Sequence, residues 1–149
     1  MKLSQVTVKV TSLIENIDTE GGSPADFERA ETLSEGRFII HDDGRAIVSY
    51  SEQSEGGSVK TEISVFGSSV TVSRRGAIES EMRFEEGVAH SSVYSIPPYR
   101  FDADVTAKRV TIDLNPTGGR INLVYNMKIG GAEKSAIMRI WISKATNQA

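Results

Sequence analysis

The sequence contains no cysteine. That absence removes disulfide frameworks, thiolate zinc sites and cysteine nucleophiles together, and it fits a reducing compartment. Histidine is scarce too. His41 and His90 are the only two, and no further ligands stand at a spacing that would complete a zinc site with either. No apolar run is long enough to cross a bilayer as a helix. The N-terminal stretch MKLSQVTVKVTSLIEN alternates apolar and polar residues, so it lacks the continuous apolar centre of a signal peptide. The expectation is a cytoplasmic protein that does not insert into membranes. Basic runs are also missing. The 17 Lys+Arg and 20 Asp+Glu give a formal net charge of -3, with the signs interleaved along the chain. Nucleic-acid binding leaves a clustered positive footprint, so no nucleic-acid partner is expected.

What the sequence has in abundance is alternation. Val6, Val8 and Val10 alternate with Thr7, Lys9 and Thr11, a strand with one buried and one wet face. The same period recurs almost to the end of the 149 residues, which is the length of one domain. Turn signals punctuate it at Asp42-Asp43-Gly44, Glu55-Gly56-Gly57, Gly67-Ser68-Ser69, Arg75-Gly76, Glu85-Glu86-Gly87, Pro97-Pro98, Asn115-Pro116-Thr117-Gly118-Gly119 and Gly130-Gly131. The pattern predicts strands near 5–14, 27–33, 36–41, 45–53, 58–66, 69–74, 77–84, 88–96, 100–107, 109–115, 120–129 and 132–143. Residues 15–26 read as a flexible connection and 144–149 as a frayed C-terminus. Consecutive strands joined by tight turns form a meander, and a meander this wide closes on itself to remove its edges. The fold class is therefore all-β, an up-and-down antiparallel barrel over 1–149. An immunoglobulin-like sandwich lacks its Cys…Trp…Cys signature here, and no internal repeat supports a propeller.

Parity shows which side chains point inward. Arg74 shares a face with Val70 and Val72, and Tyr50 and Glu52 share one with Val48. Tyr94 lines up with His90 and Ser92, and Tyr125 with Ile121 and Leu123. The inferred inner wall is apolar but carries Tyr50, Glu52, Arg74, Tyr94 and Tyr125. A buried guanidinium needs a partner, because desolvating it alone is too costly, and Glu52 is the obvious candidate. Two readings follow: a structural ion pair near one barrel end, or an anion site inside the mouth. The aspartates Asp102 and Asp104 share the face opposite Ala103 and Val105, so they point to solvent and do not form an acid–base pair. Glu79 and Glu81 are excluded in the same way. No nucleophile elbow or phosphate loop is present, and no residue pattern argues for an enzyme or implies a cofactor. On the last strand Ile140 and Ile142 face one way, and Ile137, Arg139 and Trp141 the other. An outer wall carrying Trp141 and Arg139 is either packed under a loop or terminus or is a homo-oligomer interface, where both residue types are enriched.

One family pattern runs through these residues. Tyr50-Ser51-Glu52, Arg74-Arg75-Gly76, Met82-Arg83-Phe84 with Gly87, Tyr94 and Pro97 appear in that order. Gly119-Arg120-Ile121-Asn122-Leu123-Val124-Tyr125 and Ile129-Gly130-Gly131 follow. From Val6 to Ile142 the chain resembles the YwiB-like domain-of-unknown-function family of calycin-type β-barrels. The resemblance implies a lipocalin- or streptavidin-like barrel in a cytoplasmic bacterial protein, and no activity. Two features depart from the pattern: the run Pro97-Pro98-Tyr99-Arg100, and the long connection before Phe27. The functional expectation is a small apolar or anionic ligand inside the barrel, met by Tyr50, Glu52, Arg74, Tyr94 and Tyr125. The alternative is a solid interaction module that binds through Arg139 and Trp141.

Overall fold

The computed structural model describes residues 2–16, 27–54, 56–129 and 131–144. Among the described residues ten antiparallel strands make up the fold: β1 (Lys2–Asn16), β2 (Phe27–Ile40), β3 (Ala46–Ser54), β4 (Gly57–Phe66), β5 (Ser69–Gly76), β6 (Glu79–Phe84), β7 (Ala89–Ile96), β8 (Tyr99–Asn115), β9 (Gly118–Ile129) and β10 (Ala132–Lys144). Each pairs with its sequence neighbours, and β10 closes onto β1. The barrel is thus a complete up-and-down meander with every strand paired on both sides.

Twelve strands were expected and ten form, and both differences have a local cause. The segments 27–33 and 36–41 are one strand, because β1 pairs without interruption with the whole of β2. Ser34-Glu35-Gly36 resembles a turn only because the apolar alternation lapses there. Gly36 lies within β2, opposite Val6 on one side and Tyr50 on the other. The segments 100–107 and 109–115 are likewise one strand, β8, carrying a bulge between Ala107 and Arg109. The extra residue shifts the alternation by one. Ala103, Val105 and Ala107 face in before it, and Val110, Ile112 and Leu114 pack against the core after it. The β6–β7 connection fills the bulge: Gly87 N–H donates to Ala107 O at 2.9 Å, and Val110 N–H donates to the Glu86 carboxylate at 2.8 Å. Of the expected flexible connection, Glu15 and Asn16 belong to β1 and 17–26 lie outside the described residues. Lys144 ends β10, and 145–149 also lie outside them.

The inner wall fills the barrel. Phe38, Ile63, Phe84, Ile121, Leu123 and Ile140 are each less than 2 % exposed. Side chains around a hollow large enough for a ligand would retain accessible surface, so this part of the barrel is a packed core. The outer face is mostly polar along the same strands, as the alternation predicts, with Leu3, Leu33 and Phe66 exposed on it. Asp102, Asp104, Glu79 and Glu81 lie outside in solvent. The Asp42-Asp43-Gly44 run forms the β2–β3 turn, with Arg45 Nε 2.7 Å from Asp43 Oδ2.

Candidate functional site

One rung of the barrel is polar across five consecutive strands. Strand register sets Tyr50 of β3 opposite Thr61 of β4, Thr61 opposite Arg74 of β5, Arg74 opposite Ser80 of β6, and Ser80 opposite Tyr94 of β7. Residues opposed in register share a face, so all five point inward. The next rung toward the core is Val48, Ile63, Val72 and Met82, all buried. The polar rung therefore caps the packed core and faces the barrel mouth. Tyr125 of β9 reaches the same group from across the barrel, with its ring edge-on to Phe84 at 4.7 Å between centroids.

Arg74 is half-buried at the centre of this group. The expected Arg74–Glu52 ion pair is not formed: among the described residues no salt bridge within 4.0 Å joins them. Glu52 stands one step nearer the mouth and accepts a long hydrogen bond from Thr32 Oγ1 at 3.4 Å. Both charges act on the Tyr50 hydroxyl between them, the carboxylate disfavouring its ionised form and the guanidinium favouring it. Thr61 is completely buried (0 % exposed). Its hydroxyl leans toward Tyr50 and weakly favours the phenolate, yet it makes no hydrogen bond of good geometry. Ser80 Oγ and Ser92 Oγ are also buried without a hydrogen-bond partner among the described residues. The site thus combines a guanidinium with five N–H donors and several hydroxyls that are not used elsewhere.

Burial pushes the hydroxyls of Tyr50 and Tyr125 up to about 12. Burial is the largest cause for both. For Tyr50 the Glu52 carboxylate adds to it, and for Tyr125 Arg74 opposes it while Tyr94 adds to it. An unfolded tyrosine ionises near 10. The folded state therefore holds these protons more tightly, so stability is full below about pH 10 and falls as pH rises toward 12. The loss is on the order of 2 kcal/mol per tyrosine. Absorbance at 295 nm should show tyrosine ionisation extending to about pH 12, and each of Tyr50→Phe and Tyr125→Phe should remove part of that late phase. A titration complete by pH 11 in the folded protein would contradict the burial of both hydroxyls.

The barrel wall is open beside Arg74. β6 and β7 pair only at Glu79–Ser95 and Ser80–Tyr94, and then separate before meeting again at the Glu85–Val88 bridge. A groove of about 710 Å³ lies along this seam. Arg74, Ser80 and Ser92 line it from the inner face, and Arg75, Arg100 and the carboxylates Glu79 and Glu81 line it from the outer face. Its size falls within the range of small-molecule sites. Sequence reasoning found Tyr50, Glu52, Arg74, Tyr94 and Tyr125, and the structure brings all five to one end of the barrel. It missed Thr61, Ser80 and the open seam. Parity with Ile63 and with Met82 was the available signal for the two hydroxyls. Half-buried His90 also faces in, but it is tied to Glu85 at 3.2 Å below this site. Trp141 and Arg139 lie on the outer wall, away from the rung. Lys9 Nζ sits 5.4 Å from the centre of the half-buried Trp141 ring and 3.4 Å from Glu31.

A family model described as a domain of unknown function, DUF1934, matches residues 8–140. The chain belongs to the DUF1934 family. It is similar to the uncharacterized beta-barrel protein YwiB of Bacillus subtilis (strain 168), with 26 % identity over 129 residues, which is 87 % of this chain and 85 % of that protein. The crystal structure of the ywiB protein from Bacillus subtilis superposes with a TM-score of 0.83 at 25 % identity, over 98 % of this chain and 95 % of that one. The DUF1934 barrel is therefore shared by the two proteins, and the expected family and all-β up-and-down barrel are both correct. Neither comparison carries an assigned activity, so a reading of function rests on the site itself.

Proposed function

We propose that this DUF1934 protein binds a small organic anion in the barrel mouth, with Arg74 as its anchor. The observation that carries the reading is Arg74 itself: an inward-facing, half-buried guanidinium without an ion pair among the described residues. A desolvated cation is costly unless an anion or several acceptors meet it. A carboxylate or phosphate matches the planar fork of its N–H groups. The free Ser80 and Ser92 hydroxyls stand beside Arg74 along the open seam and supply further hydrogen bonds. Glu52 near the mouth disfavours dianions and sets the preference toward a single negative charge. A wholly apolar ligand is less well served, because the barrel below the rung is filled by Phe38, Phe84 and Leu123.

Thermal shift followed by calorimetry with a panel of carboxylates, phosphate esters and matched neutral amides tests the reading. Anions should raise the midpoint and the amides should not. Arg74→Met should weaken the best anion roughly 10- to 100-fold, the worth of one charge-assisted hydrogen bond or slightly more. Arg74→Lys should recover part of that loss, since charge is kept and the fork is not. If no anion shifts the midpoint, or if Arg74→Met binds as tightly as the parent, the reading is wrong.

A further inference from the structure

Eight large apolar residues are exposed among the described residues; Leu3, Leu33 and Phe66 stand singly on other strands, but three of the eight share one face of one hairpin. Ile96, Tyr99 and Phe101 are 40 %, 65 % and 40 % exposed, and all belong to the β7–β8 hairpin. Register sets Ile96 opposite Tyr99 and Tyr94 opposite Phe101. One step further along, Ser92 and Ala103 are opposed and face the interior. The pleat therefore turns Ile96, Tyr99 and Phe101 toward the same side as Arg74 and Tyr94, not toward the outer wall.

This end of the hairpin projects past the rest of the sheet. The β6–β7 pairing stops at Ser95, and the β8–β9 pairing begins only at Ala103. The tip from Ile96 to Asp102 thus has no ladder partner on either flank among the described residues. A solvent-facing hairpin tip is usually polar, and apolar patches of this kind mark contact surfaces. Here the patch is on the inner side, is continuous through Tyr94 with the polar rung, and overhangs the mouth where Arg74 sits.

We propose that the inner face of this hairpin is the second half of the site and that it receives the apolar body of the bound anion. The inference rests on the anion reading of Arg74 and specifies its ligand class. The ligand is a flat, apolar-bodied monoanion such as an aryl carboxylate, its charged head at Arg74 and its body against Tyr99 and Phe101. Aromatic side chains favour this shape because their ring faces and edges take aromatic partners in offset or edge-on contact. Among the described residues Phe38, Phe84 and Leu123 fill the barrel below the rung, so the body cannot lie deeper.

Calorimetric titration with three probes separates the claims: 1-naphthoate, acetate and neutral 1-naphthamide. Naphthoate should bind at least tenfold tighter than acetate, and naphthamide should bind more weakly than naphthoate. The exposed double substitution Tyr99→Ser, Phe101→Ser should remove the advantage of naphthoate over acetate while leaving the thermal midpoint and acetate binding close to the parent. Arg74→Met should weaken both anions. If naphthoate and acetate bind equally through Arg74, or if the double variant keeps the full advantage, the hairpin proposal is overturned while the anion site stands. If neither anion binds, both readings fall. Light scattering on the same samples covers the remaining outcome: a dimer dissociated by Tyr99→Ser, Phe101→Ser would assign the patch to a second copy of the chain and overturn the ligand proposal.

Discussion

Phe84→Ala is expected to lower the unfolding free energy by about 3–5 kcal/mol, the cost of truncating a fully enclosed aromatic residue. Phe84 is 0 % exposed, and its ring stands edge-on to Tyr125 at 4.7 Å and 63°. The upper part of the range is expected because the surroundings cannot collapse onto the void. β6 is held to β5 from Arg74–Ser80 through Val70–Phe84, and Ile63, Ile121 and Leu123 of the same core are fixed on their own strands. β6 has little else to anchor it, since it is six residues long and pairs with β7 at only two positions. Urea unfolding should show a lower midpoint with an unchanged slope. The same variant should lower the ionisation of Tyr125 toward 10, because it opens the apolar surface against which that hydroxyl is buried. A loss below about 1 kcal/mol, outside the usual range for such truncations, would mean that Phe84 is not the core residue its burial indicates.

Gly119→Ala is expected to cost about 2–5 kcal/mol through two additive effects, backbone strain and steric overlap. Gly119 has φ +139, a conformation that residues with a side chain rarely adopt. It lies in the ladder between Leu114 of β8 and Ile142 of β10, and a Cβ there would collide with the carbonyl oxygen of Asp113. Relief requires β8 and β9 to separate close to where the barrel wall continues into β10. Gly131→Ala is the control. Gly131 also has a positive φ, +82, but an added Cβ meets nothing within 4 Å, so only the backbone cost of roughly 1–2 kcal/mol applies. Chemical denaturation of the two variants side by side measures the steric part directly. Equal losses at the two positions would show that the β8–β9 turn tolerates a side chain and that its close approach is not rigid.

The two stability predictions and the site predictions depend on different information, and the sequence held them unequally. The period-two alternation of Val6, Val8 and Val10, and the turn residues between such runs, were enough for an all-β meander and its closure. Alternation was also enough to place Tyr50, Glu52, Arg74, Tyr94 and Tyr125 on the inner wall, because a side chain's face follows from its own backbone and its immediate neighbours. The expectation held wherever the alternation was unbroken. It failed at Ser34-Glu35, where an apolar lapse divided β2 into two apparent strands, and at Lys108, where one extra residue moved the phase and divided β8 in the same way.

What the alternation could not supply is which inward residues meet. Register across strands is set by turn lengths and bulges summed around the whole barrel, and a shift of one residue anywhere exchanges the faces beyond it. Only the tertiary structure places Thr61 and Ser80 on either side of Arg74, keeps Glu52 out of ion-pair distance, and leaves the β6–β7 seam open. The same holds for the overhang of Ile96, Tyr99 and Phe101, which exists because the neighbouring ladders end at Ser95 and Ala103. The sequence by itself determined an all-β barrel with charge and phenol on its inner wall, since face is a local property of the strand. The arrangement of that charge, a guanidinium without an ion pair among the described residues, was decided by closure of the barrel, since register is a property of all the paired strands together.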